Sequence, residues 1–109
     1  MIITLENLPK VSFNLFYTGV HWAKRKKTKD TYKTLIKSQF KQVLSKDKEY
    51  DVEYIFTFKS RPLDASNCAA MIKLIEDIIF EDDNYKIVKS IKTRSLKGLY
   101  DKVEIKINE

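Results

Sequence analysis

Residues 61–83 read RPLDASNCAAMIKLIEDIIFEDD, and this stretch decides how the rest of the chain is organised. Apolar side chains recur within it at spacings of three and four, which predicts a helix with one buried face. The residues predicted on that face are Cys68, Met71, Ile72, Ile75, Ile78 and Ile79. The opposite face would carry Lys73, Glu76 and Asp77. We therefore expect one face of the helix to pack and the other to be available for chemistry.

Oxygen donors are present at both ends of this predicted helix. Asp64 and Asn67 open it, and Asp82 and Asp83 follow it. Carboxylate and carbonyl oxygens are the ligands that Mg²⁺ and Mn²⁺ prefer, and a magnesium site needs only one or two carboxylates besides phosphate and water. These four residues are therefore candidates for a hydrolytic metal site.

Lys73 is the candidate for stabilising a phosphate. It follows Ser66 by seven residues, close to two helical turns, so both side chains would project from a similar side about 10 Å apart. An ammonium group there can neutralise charge that develops on a phosphate under attack by water. An alternative stays open, because Asp64, Ser66 and Asn67 are also good helix N-cap residues and acids before Asn84 are typical of a solvated turn.

At these residues the sequence resembles the RusA-like Holliday-junction resolvases, metal-dependent endonucleases that cut four-way DNA junctions and are often encoded by phages. In that family an Asp-x-Asp-Asn segment opens a helix that contains a lysine, and an Asp-Asp pair follows the helix. Asp64 matches the first acid, Asn67 the asparagine and Lys73 the lysine. The pair at 82–83 and the N-terminal segment 9–32 are also similar, so the resemblance spans nearly the whole chain.

The resemblance implies a metal-dependent endodeoxyribonuclease that resolves Holliday or other branched DNA junctions in recombination and repair. It implies that Asp64, Asp82 and Asp83 bind Mg²⁺ or Mn²⁺, without an organic cofactor. It also implies that Asp64 and Asp83 are catalytic together with Lys73, while Ser66 and Asn67 support them. A homodimer would match the two-fold symmetry of a four-way junction.

Two features depart from the family pattern. Ser66 stands where the family has its second acid, and Lys73 lies further from the asparagine than in the shortest members. A hydroxyl is a weaker metal ligand than a carboxylate, although Glu81 or Asp77 could compensate. Two other interpretations therefore stay open: a nuclease-deficient DNA-binding or regulatory protein on the same fold, and a protein-binding module without DNA affinity.

Charge is segregated along the chain. The net charge of +6 comes from 21 basic and 15 acidic residues, with basic residues concentrated at 24–29 and 86–106 and acidic residues at 76–83. A basic surface around an acidic patch suits a nuclease, because lysines hold phosphate while carboxylates recruit the metal. A lysine-rich surface encoded by an AT-rich genome is the simpler alternative.

Aromatic residues lie directly beside the first basic run. Phe16 and Trp22 precede the residues at 24–29, a pairing that suits a loop holding nucleic acid. The residues predicted to contact DNA are His21, Lys24, Arg25, Lys26, Lys27 and Lys29. The aromatic residues are equally expected in the core. His21 is the single histidine, which excludes a multi-histidine metal site.

Length and composition limit the class of protein. At 109 residues and 43% hydrophobic content, the chain is expected to form one domain with its own core. The single cysteine, Cys68, excludes an internal disulfide and suits a reducing compartment. Because no apolar run approaches the roughly 20 residues of a membrane span, we expect a cytoplasmic protein without membrane association.

The remaining elements follow from local patterns. Residues 2–5 form a short strand candidate, and Thr28 or Asp30 can cap a helix that runs to about residue 45. Residues 51–59 alternate, with Val52, Tyr54, Phe56 and Phe58 on one side and Glu53, Ile55, Thr57 and Lys59 on the other, and this pattern predicts the clearest strand.

The C-terminal part predicts two further strands. Residues 85–94 are rich in isoleucine, valine and lysine, and apolar residues alternate with charged ones at 102–107. With a turn at Gly98 between them, they are typical of a hairpin. The order β-α-β-α-β-β predicts an α+β domain with a small mixed or antiparallel sheet and two main helices on one face.

Overall fold

The computed structural model describes residues 1–18, 22–80 and 86–109. Its elements are β1 (Ile2–Glu6), α1 (Phe13–Thr18), α2 (Trp22–Gln39), β2 (Tyr50–Phe58), a 3₁₀ turn (Ala65–Cys68), α3 (Ala69–Ile79), β3 (Val88–Lys97) and β4 (Lys102–Asn108). The predicted α+β class and the β-α-β-α-β-β order of the main elements are confirmed. Within the described ranges, no helix is long and apolar enough to cross a membrane.

The sheet is mixed, with strand order β1-β4-β2-β3 among the described residues. β4 pairs antiparallel with both β1 and β2, and β2 pairs parallel with β3. The predicted hairpin between the last two strands is therefore wrong, because β2 lies between them. β4 buries Val103, Ile105 and Ile107 and suits an interior strand, whereas the mostly exposed, lysine-rich β3 suits the edge.

The connection from β3 to β4 crosses the end of β2. Two strand spacings amount to about 10 Å, and residues 98–101 cover them. The Gly98 N–H donates to the Phe58 carbonyl at 2.9 Å. A Cβ at position 98 would overlap Cγ2 of Thr57, so any other residue there would require the Thr57 side chain to shift.

The core lies between the sheet and the helices, on the sheet face predicted from the alternation in β2. The buried side chains of β1, β2 and β4 belong to one hydrophobic cluster with residues of α2 and α3. On the strands these are Ile3, Leu5, Tyr50, Val52, Tyr54, Phe56, Phe58, Val103, Ile105 and Ile107. The residues of β2 between them are half-buried or exposed, so the predicted side assignment of β2 is confirmed.

α3 is buried more completely than its sequence predicts. Five of the six residues predicted on its apolar face are buried, and Ile78 is half-buried. Glu76, predicted on the polar face, is buried as well, with 4% of its surface exposed. The reason is that α1 and α2 also contact α3, so the helix has neighbours beyond the sheet.

α2 begins and ends earlier than predicted. It starts at Trp22 rather than at Thr28 or Asp30, because alanine, lysine and arginine favour helix and extend it through the basic run. It ends at Gln39, whose side-chain amide accepts from the Glu6 N–H at 2.6 Å and donates to the Glu6 carbonyl at 2.9 Å. The basic residues therefore lie on a helix and not on a loop.

The close approach at Gly98 generates a test. Gly98→Ala should lower the free energy of unfolding by about 1 to 3 kcal/mol, because the new methyl overlaps Thr57 in a packed crossing. Urea denaturation measures this loss. Thr57→Ser removes the overlapping methyl and keeps the hydroxyl, so Gly98→Ala should cost clearly less in that background. An equal cost in both backgrounds would show that the contact is irrelevant.

Candidate active site

The candidate site begins with the loop that follows β2, residues 59–64. The Lys59 N–H donates to Asp101 Oδ1 at 2.8 Å, and Lys97 Nζ donates to the Lys59 carbonyl at 3.1 Å. Further along, the Ser95 hydroxyl donates to the Leu63 carbonyl. The loop is thus fixed to β3 and to the β3–β4 connection, at the carboxyl ends of the parallel strand pair.

Lys10 holds the same loop from the other side. Its Nζ donates to Ser60 Oγ at 3.2 Å and to the Arg61 carbonyl at 2.9 Å. Sequence patterns do not identify Lys10 or Ser95 as part of the site, because their partners lie about 50 and 32 residues away along the chain. No local signal encodes contacts of that separation.

Asp64 occupies the N-cap position of the 3₁₀ turn, but only its main chain acts as a cap. Its carbonyl accepts the N–H groups of Asn67 at 2.9 Å and Cys68 at 3.2 Å. Its carboxylate makes no capping hydrogen bond, and the residue is exposed. The N-cap alternative therefore does not account for the acid, since the carbonyl would be supplied by any residue type.

Ser66 and Asn67 lie in the 3₁₀ turn, and Lys73 lies near the middle of α3. Ser66 is exposed and Asn67 is half-buried. A 3₁₀ turn followed by α-helix keeps Ser66 and Lys73 on a similar side, about 11 Å apart along the axis. Lys73 Nζ lies 3.8 Å from Asp77 Oδ1 with both side chains about half exposed, a geometry that contributes little to stability.

The acid pair Asp82 and Asp83, like Glu81, lies outside the described residues. Phe80 before the pair and Ile87 after it both contact Tyr50, the first residue of β2. The Phe80 ring lies 5.3 Å from the Tyr50 ring, and the Ile87 carbonyl accepts the Tyr50 N–H at 2.7 Å. Asp64, by contrast, belongs to the loop at the far end of β2.

The distance between these two ends follows from the strand pairing. Leu63 is hydrogen-bonded to Ser95, which is paired with Phe56, six residues from Tyr50. Six strand residues span about 20 Å. Three residues of chain extend at most about 11 Å, which is an upper limit of about half of that separation for any position three residues beyond Phe80.

The oxygen donors at the opening of α3 are of the type that a hard cation such as Mg²⁺ prefers, but they include only one carboxylate. Asp64 offers a carboxylate, Ser66 a hydroxyl and Asn67 an amide oxygen, and Mg²⁺ prefers such oxygens. Among residues 1–18, 22–80 and 86–109, no group of three histidine, cysteine or acidic side chains is gathered. A site with two carboxylates would need an acid from elsewhere.

The predicted DNA-contacting residues divide between faces of α2. Helical geometry places Lys24 and Lys27 on one side and Lys26 and Lys29 on the other. Lys26 pairs with Asp30 at 3.2 Å on the exposed surface. Arg25 is the remaining described residue of this set, and its guanidinium lies 6.0 Å from the centre of the Phe16 ring.

The two aromatic residues beside the basic run, Phe16 and Trp22, differ in burial. Phe16 is buried in the core, whereas Trp22 is 69% exposed at the start of α2. Tyr32, further along α2, is buried and its hydroxyl donates to the Pro9 carbonyl. His21 lies outside the described residues. Trp22 is thus an exposed aromatic residue beside the basic run of α2.

Cys68 packs under the site and is buried, as predicted. Burial raises the pKa of its thiol to about 11, the nearby Asp64 charge adds to the rise, and a hydrogen bond with Ser95 opposes it. Because the thiolate is the reactive form, this environment argues for a packing role and against a nucleophilic one.

The sequence matches no known protein-family model. It also matches no curated protein at a significant level.

The raised pKa of Cys68 predicts slow alkylation. At pH 9, a thiol with a pKa of about 11 is roughly 1% thiolate, against about half for an ordinary thiol, so iodoacetamide should react far more slowly with folded protein than with urea-unfolded protein. Mass spectrometry of timed samples measures both rates. Equal rates would show that the thiol is accessible and ionised. Between pH 9 and 11 stability should also fall, because the unfolded state loses this proton first, and Cys68→Ala should flatten that fall.

Proposed function

We propose that the protein is a RusA-like, Mg²⁺-dependent endodeoxyribonuclease that cuts branched DNA, including four-way junctions. The single observation that carries the proposal is the exposed carboxylate of Asp64, which makes no capping hydrogen bond at the opening of α3. An acid that does not serve the helix is available to a metal. The identity of the substrate rests on the family resemblance of residues 64–83.

The position of Asp64 supports this proposal. It follows a loop held by hydrogen bonds from Lys10, Lys97 and Ser95, at the carboxyl ends of parallel strands. Ligands of open parallel sheets commonly bind at that edge. A catalytic carboxylate also needs a rigid backbone around it, because small displacements of reacting groups lower the reaction rate strongly.

The assigned roles use this arrangement. Asp64 and the pair Asp82 and Asp83 hold the metal, which supplies Lewis-acid chemistry when bound. Ser66 and Asn67 add neutral oxygen ligands or orient the phosphate. Lys73, projecting from the exposed side of α3, stabilises charge on the phosphate under attack.

Basic residues on α2 hold the DNA backbone in this proposal. Lys24, Lys26, Lys27 and Lys29 are exposed on α2, with Lys24 and Lys27 on one side and Lys26 and Lys29 on the other, so each pair can hold a different stretch of phosphate backbone. Arg25 is half-buried and contacts Phe16, so its share of phosphate contact is expected to be smaller.

We further propose that the protein acts as a homodimer whose metal site is shared. The support is the separation of about 20 Å along β2 between the loop of Asp64 and the anchor of Phe80. A second protomer related by a two-fold axis could bring its acid pair to Asp64. The same symmetry would place two centres on opposed strands of a junction.

A nuclease-deficient DNA-binding protein is the second candidate. It is favoured by one observation: at the opening of α3, the described residues contribute a single carboxylate, because Ser66 replaces the second acid. It predicts junction binding without cleavage at any Mg²⁺ concentration.

Asp64→Asn provides the first test. With labelled four-way junction and Mg²⁺, cleavage should fall at least about a hundredfold, because a metal ligand is lost. Junction binding in chelator should stay unchanged or tighten, since removing an acid lessens repulsion of phosphate. Linear duplex serves as the substrate control.

The matched control is Asp47→Asn, an exposed acid in the connection between α2 and β2. It should cleave at the wild-type rate. Wild-type cleavage by Asp64→Asn would refute the metal role. Tight binding by the unmodified protein without any cleavage would favour the nuclease-deficient candidate, and no binding at all would favour a protein-binding module.

Mixing inactive variants tests the shared site. Asp64→Asn and Asp83→Asn proteins should each be inactive alone, while their mixture should nick the junction, because a mixed dimer regains one intact centre. Sedimentation velocity of the same samples measures the dimer. A mixture that dimerises but stays inactive would refute sharing while leaving the dimer in place.

A further inference from the structure

A pocket of about 380 Å³ lies between the chain that follows β1 and one face of α2. Pro9, Val11 and Phe16 form an apolar side, and Lys24 and Lys27 belong to the helical side. The volume falls within the range of small-molecule sites, roughly 300 to 1,000 Å³. The pocket therefore combines an apolar surface with two cationic groups.

The helical side of the pocket is one stripe of α2. Lys24, Lys27, Thr28 and Thr31 are spaced at i, i+3, i+4 and i+7, so all four side chains project from one side. The Thr28 hydroxyl donates to the Lys24 carbonyl and the Thr31 hydroxyl to the Lys27 carbonyl, both at 3.0 Å. Since those protons are used within the helix, the two ammonium groups are the donors this stripe offers to a ligand.

The apolar side is held in place by the core. Phe16 and Tyr32 are buried, and the Tyr32 hydroxyl donates to the Pro9 carbonyl, which fixes the chain beside the pocket to α2. A surface held at both ends loses little conformational freedom when a ligand binds. The pocket is thus formed before binding.

The pocket adjoins the loop of the candidate active site. Lys10 lines it, and Lys10 Nζ donates to Ser60 Oγ and to the Arg61 carbonyl, three residues before Asp64. A group held in the pocket would therefore lie close to the loop of Asp64, where the proposed nuclease would cut a DNA strand.

We propose that this pocket binds one unpaired nucleotide of a DNA strand, with the phosphate beside Lys24 and Lys27 and the base against the apolar side. Lysines bind phosphate as point charges, and an aromatic or apolar surface can contact any base because every base has a flat π-face. The inference rests on the proposed function and adds a substrate feature to it: an unpaired nucleotide next to the cleavage point, as at a branch.

The test measures binding in chelator, so that it does not depend on cleavage. The probes are short 5′-phosphorylated oligothymidylate, thymidine 5′-monophosphate, thymidine and inorganic phosphate, titrated into ¹⁵N-labelled full-length protein. The oligothymidylate and the monophosphate should shift the amide signals of residues that line the pocket, Val11, Thr28 and Thr31 among them. Thymidine and phosphate alone should bind at least about tenfold more weakly, because each makes only half of the contacts.

Three variants locate the binding. Lys24→Ala combined with Lys27→Ala should weaken oligothymidylate binding at least about tenfold, since two charge-assisted contacts are lost. Lys33→Ala combined with Lys41→Ala removes the same charge elsewhere and should have a much smaller effect. Thr31→Phe fills the apolar volume and keeps both lysines, so it should reduce nucleotide binding without changing the weak binding of phosphate. Circular dichroism verifies the fold of each.

The remaining outcomes overturn the inference. Equal loss in both lysine pairs would mean general electrostatic attraction, and phosphate binding as tight as the monophosphate would mean an anion site without a base. Binding of the monophosphate but not of oligothymidylate would refute a strand as the ligand. If pocket binding holds while Mg²⁺ gives no junction cleavage, the nuclease proposal fails and the pocket stands. If the junction is cleaved but the pocket binds no nucleotide, the pocket inference fails and the nuclease proposal stands.

Discussion

The pairing of β2 on both of its edges is the constraint on which the rest of the structure depends. β4 pairs with it antiparallel and β3 pairs with it parallel. A parallel partner cannot follow through a tight turn, so the chain must return along the sheet, and the 3₁₀ turn with α3 makes that return. This crossover buries the apolar face of α3 against the strands. It also fixes where the helix opens: at the carboxyl ends of the parallel pair, where Asp64 lies.

The same crossover separates the two ends of α3. Asp64 precedes α3 at one end of β2, whereas Phe80 follows α3 beside Tyr50 at the other end. Parallel pairing requires this separation, because the return element must span the length of the strand it joins. The loop that opens α3 and the residue that follows it thus lie about the length of β2 apart.

The helical conformation of the basic run changes what its charges can do. In an irregular loop, the residues at 24–29 could turn their charges toward one surface. On α2 they are divided, with Lys24 and Lys27 beside the pocket and Lys26 paired with Asp30 on another face. Lys10 then links the pocket to the loop of Asp64 through Ser60 and Arg61. Positive charge, apolar surface and the exposed carboxylate are connected by contacts between segments that are distant in sequence.

Local periodicity determined which side of each element faces the core. The alternation in β2 and β4, the apolar face of α3 and the α+β order were all predictable, because burial selects side chains at fixed spacings along one element. Tertiary structure alone decided the rest. The backbone hydrogen bonds that join strands are the same for every residue but proline, so sequence patterns did not distinguish a hairpin from the crossing at Gly98. The burial of Glu76 and the attachment of Lys10 to Arg61 likewise depend on which elements become neighbours, and an isolated segment carries no information about its neighbours.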